Sequence, residues 1–134
     1  ILIRAQVRQF FAVLNQVAPE WALDKKILHK KVVLASMVEK ETGAPEERPT
    51  IASVFFNRIQ KNMKLQSDPT IIYGIAVEKG TLINNIRRSD ILYPSPYNTY
   101  YVRGLPISPI ANPGREALKA VKNPAQTEYL YFVS

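Results

Sequence analysis

Ten prolines against five glycines are what most constrain this chain. A proline inside a helix removes a hydrogen bond and clashes with the preceding turn, at about 3 kcal/mol. A long uninterrupted helical bundle or coiled coil is therefore excluded. Proline is tolerated in the first helical turn and just beyond the last, so its positions mark helix ends. The chain has 134 residues, 46% hydrophobic and 22% charged. That is globular composition, with length for one domain and a real core. No apolar run approaches the ~20 residues of a membrane span.

Between the prolines the apolar spacing reads as helices. Val7, Phe10, Phe11 and Leu14 share a face of a helix over residues 1–16. Pro19 and Trp21 break that pattern. Asp24 can cap a second helix from about Lys25 to Thr42, ended by Gly43 and Pro45. A third starts at Glu46 to Pro49 and runs to about Met63, with Ile51, Val54, Phe55, Ile59 and Met63 inward. Asp68-Pro69 reads as cap then first helical residue, for a helix to Glu78 ended near Gly80. Asn112-Pro113 repeats the signal for a helix through Val121. Residues 82–111 show no sustained period and are rich in Pro, Tyr and Asn, the mark of a long functional loop. Tyr129 to Val133 has the aromatic and branched residues of a strand. The expected fold class is α+β: mostly helical, with a small β component and a long ordered loop region. Residues 1–134 read as one domain without internal repeats.

Side-chain inventory narrows the chemistry. There are no cysteines, which excludes disulfides, thiolate metal sites and a cysteine nucleophile. The lone histidine, His29, suits a structural place near a helix start. It leaves no partner for a hydrolase triad or a histidine zinc site. Neither metal nor cofactor is expected. The net charge of +7 favours a polyanionic partner. The basic pairs Lys25-Lys26, Lys30-Lys31 and Arg87-Arg88 are scattered, and no nucleic-acid signature accompanies them.

One acid stands out. Leu34, Met37, Val38 and Glu41 fall at i, i+3, i+4 and i+7 and share the apolar face of the second helix, whereas Glu39 lies off that stripe. Burial and the negative end of the helix dipole both favour the protonated form of Glu41, which a general acid needs near neutral pH. The position also suits an exposed helix end, or an ion pair with Arg48 or Arg58. A second cluster, Gln66, Asp68, Tyr73, Tyr97, Asn98, Thr99, Tyr100 and Gly104, combines flat aromatic faces with amides and hydroxyls that suit sugar recognition. Asp68 serves equally as a helix cap, and the tyrosines as packing.

Several motifs carry a resemblance. Leu34-Ala35-Ser36-Met37-Val38-Glu39-Lys40-Glu41-Thr42 is followed by Val54-Phe55-Phe56-Asn57-Arg58 and by Leu65-Gln66-Ser67-Asp68-Pro69-Thr70 with Tyr73-Gly74. Tyr97-Asn98-Thr99-Tyr100, Gly104-Leu105-Pro106 and Pro109 to Gly114 continue the order, as does Ala125 to Val133. Together, over residues 31–133, they resemble the YceG-like family of endolytic murein transglycosylases. The resemblance implies internal, water-free cleavage of the MurNAc–GlcNAc β-1,4 bond of peptidoglycan, leaving 1,6-anhydro-MurNAc ends. One glutamate acts first as acid and then as base. It lies in the Glu-Lys-Glu-Thr stretch, and Glu41-Thr42 resembles the Glu-Ser pair of many lytic transglycosylases, so Glu41 is the expected catalytic residue. Gln66, Tyr97, Asn98 and Thr99 are expected along the glycan groove.

Members of this family also carry an N-terminal transmembrane helix, a small LysM-like subdomain and a continuation beyond the Tyr-Phe-Val stretch. The chain opens on Ile1 rather than Met and runs only to Ser134. A fragment of a membrane-anchored protein is therefore expected, truncated at both ends. Its catalytic part is expected on the outer face of the bacterial inner membrane, near penicillin-binding proteins and other wall-synthesis proteins, with peptidoglycan glycan strands as partner and no nucleic acid. A silent peptidoglycan-binding scaffold keeps the groove without using Glu41. A hydrolytic muramidase instead needs a second carboxylate opposite Glu41.

Overall fold

A computed structural model describes residues 2–133, with only the backbone described at Leu2. Ile1, which the first helix was expected to include, lies outside the described residues. Among the described residues six α-helices follow in order: α1 Leu2–Val17, α2 Lys25–Glu41, α3 Arg48–Gln60, α4 Asp68–Lys79, α5 Arg88–Ile91 and α6 Arg115–Lys122. Short 3₁₀ turns at Pro19–Leu23 and Pro45–Glu47 link α1 to α2 and α2 to α3. No helix of the described residues is long and apolar enough to cross a membrane.

Helix α2 is the hub, packed against α3, α6, α4 and the first 3₁₀ turn. Its Leu34, Met37 and Val38 are buried beside Phe55 of α3 and Leu118 of α6. Its start follows local chemistry: the Asp24 carboxylate accepts the N–H groups of Lys26 at 2.8 Å and Ile27 at 3.4 Å. Helix α4 ends at Gly80, whose φ of 67° is the left-handed conformation that glycine adopts without strain. At Gly74, in the same helix, an added Cβ would lie 2.7 Å from Ser95 Oγ. Only glycine lets α4 approach the loop carrying residues 95–100 this closely.

Several expectations need correction. The expected β component is absent: among the described residues there are no strands, and helices, the 3₁₀ turns included, make up 59% of them. Tyr129 to Val133 keeps the in-and-out alternation of a strand, with Tyr129, Tyr131 and Val133 exposed and Phe132 set edge-on against Phe55 at 5.7 Å. Its backbone partners come from a helix. Asn57 Nδ2 donates to the carbonyls of Thr127 and Tyr129, and Arg58 donates to that of Leu130. With α3 supplying these bonds, no second strand is required.

Helix-face and cap expectations change too. Val7 and Phe11 of α1 are exposed, because only the C-terminal half, with Val13 and Leu14, meets the core. Ile59 is exposed as well, and α3 ends at Gln60, before Met63. Asp68 is the first residue of α4 rather than its cap, which is Ser67. Asn112 does not cap α6 either: Gly114 occupies that position, and its N–H donates to Glu39 Oε1 at 2.7 Å.

Candidate active site

Glu41 ends α2 at the rim of the core, half-buried above Met37 and Val38. The N-terminus of α4 lies against it, and the Ser67 hydroxyl donates to Glu41 Oε1 at 3.1 Å. Burial raises the Glu41 carboxyl above the usual carboxylate range. The Ser67 hydrogen bond opposes that shift, and the nearby Asp68 charge adds to it. Among the described residues Glu41 forms no salt bridge. Arg48 pairs instead with Glu39 Oε2 at 3.0 Å. Arg58 is spent on the carbonyls of Lys64 and Leu130 and on Gln66 Oε1. The open choice between an ion pair and an unpaired acid thus resolves, in this geometry, to the unpaired acid.

The two glutamates of Glu39-Lys40-Glu41 do different work. Glu39 bridges Arg48 and the N-terminus of α6, a structural clamp. Glu41 meets only a hydroxyl, and neither hydrogen bonding nor pairing occupies its Oε2 among the described residues.

Around Glu41, Asp68 and Tyr100 form a coupled pair. Tyr100 donates its phenolic proton to Asp68 Oδ1 at 2.6 Å. Its burial, followed by that bond, pushes the phenol far above its ordinary value. The Glu41 charge pushes in the same direction and Arg58 opposes it, so all four groups share one electrostatic neighbourhood. Gln66 is exposed at its edge, held in a left-handed backbone (φ 51°) by its N–H to the Thr99 carbonyl and its Oε1 to Arg58. Such a φ costs a residue with a Cβ roughly 1–2 kcal/mol, which those contacts offset.

The remaining residues singled out by sequence sit differently. Asn98 is buried, and its amide donates to the carbonyls of Ile91 and Tyr93 while its oxygen accepts the Tyr100 N–H. Its hydrogen-bonding capacity shapes the loop from within. Thr99 is also buried, bonded to Ser67 and Thr70. Tyr73 and Tyr97 pack edge-to-face at 5.0 Å, and the Tyr97 hydroxyl accepts a bond from Ser108. Tyr73 faces an apolar cleft of about 340 Å³ shared with Lys40, Pro69 and Ile72. His29 Nε2 rests 3.0 Å from the Ile107 carbonyl oxygen. Glu41, Gln66, Asp68 and Tyr100 are thus brought together, with Thr99 behind them, whereas Tyr73 and Tyr97 pack against each other and Asn98 is spent on hydrogen bonds within its loop. Ser67 stood in the motifs without an assigned role, and Arg58 only as a candidate ion-pair partner of Glu41. The Ser before Asp-Pro was the available signal, since it competes for the same cap position. Among the described residues no group of three or more His, Asp or Glu side chains is placed to hold a metal ion.

This geometry accompanies clear relatives. The YceG-like family model matches residues 1–134. An endolytic murein transglycosylase of Bacillus subtilis is 37% identical over 133 residues, 99% of this chain and 36% of that protein. One from Streptococcus pneumoniae is 36% identical over 112 residues, 80% of this chain and 20% of that protein. The crystal structure of a YceG-like protein from Listeria monocytogenes superposes with a TM-score of 0.79 at 37% identity, covering 90% of this chain and 38% of that one. The chain therefore spans about a third or less of the length of the curated relatives it matches, and it belongs to the YceG-like family.

Proposed function

We propose that this chain is the catalytic part of an endolytic murein transglycosylase, with Glu41 as its acid and base. The observation that carries the reading is a half-buried carboxyl, raised by desolvation and without a cationic partner among the described residues, at the end of the hub helix. Protonated Glu41 gives its proton to the oxygen linking MurNAc C1 to GlcNAc. The C1–O bond breaks, and GlcNAc leaves with its 4-hydroxyl restored. Carboxylate Glu41 then takes the proton of the MurNAc C6 hydroxyl as that oxygen closes on C1. The ring is sealed, the proton is back on Glu41, and no water is consumed. Charge developing on the departing oxygen is met by a carboxyl that desolvation holds above the usual carboxylate range, which is the use of a raised acid. Gln66 and the Asp68–Tyr100 pair line the approach as polar contacts for sugar hydroxyls and N-acetyl groups.

In this reading the chain works within a longer, membrane-anchored protein on the outer face of the bacterial inner membrane. Nascent glycan strands are the substrate there, and wall synthases such as penicillin-binding proteins are the neighbours. A hydrolytic reading has one point in favour: Asp68 lies near enough for its charge to act on Glu41. Ordinary glycosidases pair two carboxylates in this way. Asp68 is already engaged by Tyr100, which favours the water-free route.

The test is mass spectrometry of products from purified glycan strands, with wild type beside Glu41→Gln. Anhydro ends that vanish in the variant support the reading. Reducing ends would establish hydrolysis, and unchanged products from the variant would remove Glu41 from the chemistry.

A further inference from the structure

Ser67 occupies the N-cap position of α4, yet its hydroxyl makes no capping bond. A serine there ordinarily satisfies a first-turn N–H, worth about 1 kcal/mol. Here the hydroxyl turns away from its own helix and donates to Glu41 Oε1. The residue is buried, at 2% exposure, so the choice is not made by solvent.

Its backbone is held from both sides. The Ser67 N–H donates to Thr99 Oγ1 at 2.8 Å. The Ser67 carbonyl accepts the Thr70 hydroxyl at 2.6 Å and the Thr70 N–H at 3.1 Å. A hydroxyl has one proton to give. Thr70 spends its own on Ser67, so in the 2.8 Å contact between the two threonine hydroxyls Thr99 is the donor. The Thr99 N–H in turn donates to Thr70 Oγ1 at 3.1 Å. Every donor in this small ladder then has an acceptor. The one torsion left to Ser67 is that of its side chain, and it is aimed at Glu41.

We propose that Ser67 is a positioning residue for Glu41: it claims Oε1, so that the transferable proton resides on Oε2, and it steadies the carboxylate between the acid and base steps. This rests on the reading of Glu41 as acid and base. A hydroxyl donor at Oε1 leaves Oε2 as the oxygen to be protonated, because a proton on Oε1 would meet the Ser67 hydrogen head-on. After the first transfer the same hydrogen bond stabilises the anion in a site that otherwise disfavours it. The other charged or titratable groups facing Glu41 are Asp68 from α4, Tyr100 from the loop and, beyond it, Arg58 from α3. None of them is hydrogen-bonded to Glu41 among the described residues, so Ser67 acts without a substitute.

The test is Ser67→Ala in the full protein, with Ser67→Thr beside it. Rates of anhydro-product formation from purified glycan strands are followed across pH, and melting temperatures are measured in parallel. Loss of a hydrogen bond to a charged group corresponds to roughly a 10- to 100-fold fall in kcat. KM is expected to change less than threefold. The alkaline limb of the kcat profile, which reports loss of the Glu41 proton, should move to higher pH in Ser67→Ala and return toward wild type in Ser67→Thr. The melting temperature of Ser67→Ala should stay near wild type, since no cap is lost. A kcat within twofold of wild type with an unmoved limb overturns the proposal, as does a lowered melting temperature with intact kcat, which marks an ordinary cap. Glu41→Gln separates the two levels. If it still makes anhydro ends, the reading of Glu41 fails; if it makes none while Ser67→Ala is unchanged, only the role of Ser67 fails.

Discussion

Glu39 on α2 accepts the backbone N–H of Gly114 at 2.7 Å and thereby caps α6 from a helix 75 residues away in sequence. Its other oxygen holds Arg48 at 3.0 Å. Two residues on, Glu41 points to the opposite task. The division between clamp and acid is made within a single turn of one helix, by which neighbours each face meets.

Glu39→Ala is therefore expected to cost stability rather than chemistry. A lost cap and a partly buried arginine left without its partner together come to about 2 kcal/mol. For a chain of this size that lowers the melting temperature by roughly 5–10 °C. Calorimetry checks the stability, and kcat below the transition should stay within about threefold of wild type.

Glu41→Gln should behave in the opposite way. Folding raises the Glu41 carboxyl above its ordinary value of 4.5. The folded state then binds the proton more tightly than the unfolded chain. Glu41 therefore destabilises the fold progressively as pH rises from 4.5 through the raised folded value, and is neutral in stability below that window. Glutamine keeps the acceptor for Ser67 but carries no charge. Denaturant titrations should show the variant matching wild type in acid and exceeding it at neutral pH, by a difference that grows across that window.

Asn98 gives a test of shape against binding. Its amide donates to two backbone carbonyls inside the loop. Asn98→Ala leaves both unpaired, at a cost of about 2–3 kcal/mol. Asn98→Asp should be worse at neutral pH, because the introduced carboxylate faces the same two carbonyl oxygens, and should recover in acid when it can donate. Thermal melts at two pH values read this directly. A residue that only contacted sugar would leave both melts unchanged.

Asn57 and Arg58 tie down the C-terminal segment through the carbonyls of Thr127, Tyr129 and Leu130. Asn57→Ala should free residues 127–130 first, seen as faster amide exchange and earlier proteolysis there while α2 and α6 stay protected. Arg58→Ala additionally releases Gln66 Oε1, so it should weaken glycan binding as well.

Much of this was written locally. Helix ends follow from Asp24, Gly80 and the prolines, because capping and proline geometry act within a turn. The apolar stripe Leu34, Met37, Val38 placed Glu41 at the core's edge for the same reason, since helical period is a local property. What the tertiary structure decided were the long-range partners. Tyr129 to Val133 has the alternation of a strand, but whether an extended segment joins a sheet depends on who supplies its hydrogen bonds, and here side chains of α3 do. Asp68 and Ser67 compete for one cap; Ser67 holds the position through its backbone, but neither side chain makes the capping bond, because Glu41 and Tyr100, remote residues, draw each elsewhere. The sequence by itself determined the longer helices and the place of Glu41 on the apolar face of α2, whereas the short α5 lay in a stretch without a sustained period. Only packing determined that Glu39 would clamp α6 and that a serine without an assigned role would touch Glu41, because those contacts join segments 75 and 26 residues apart; Asn98 is consumed within its own loop, whose irregular path no helical or strand period announces.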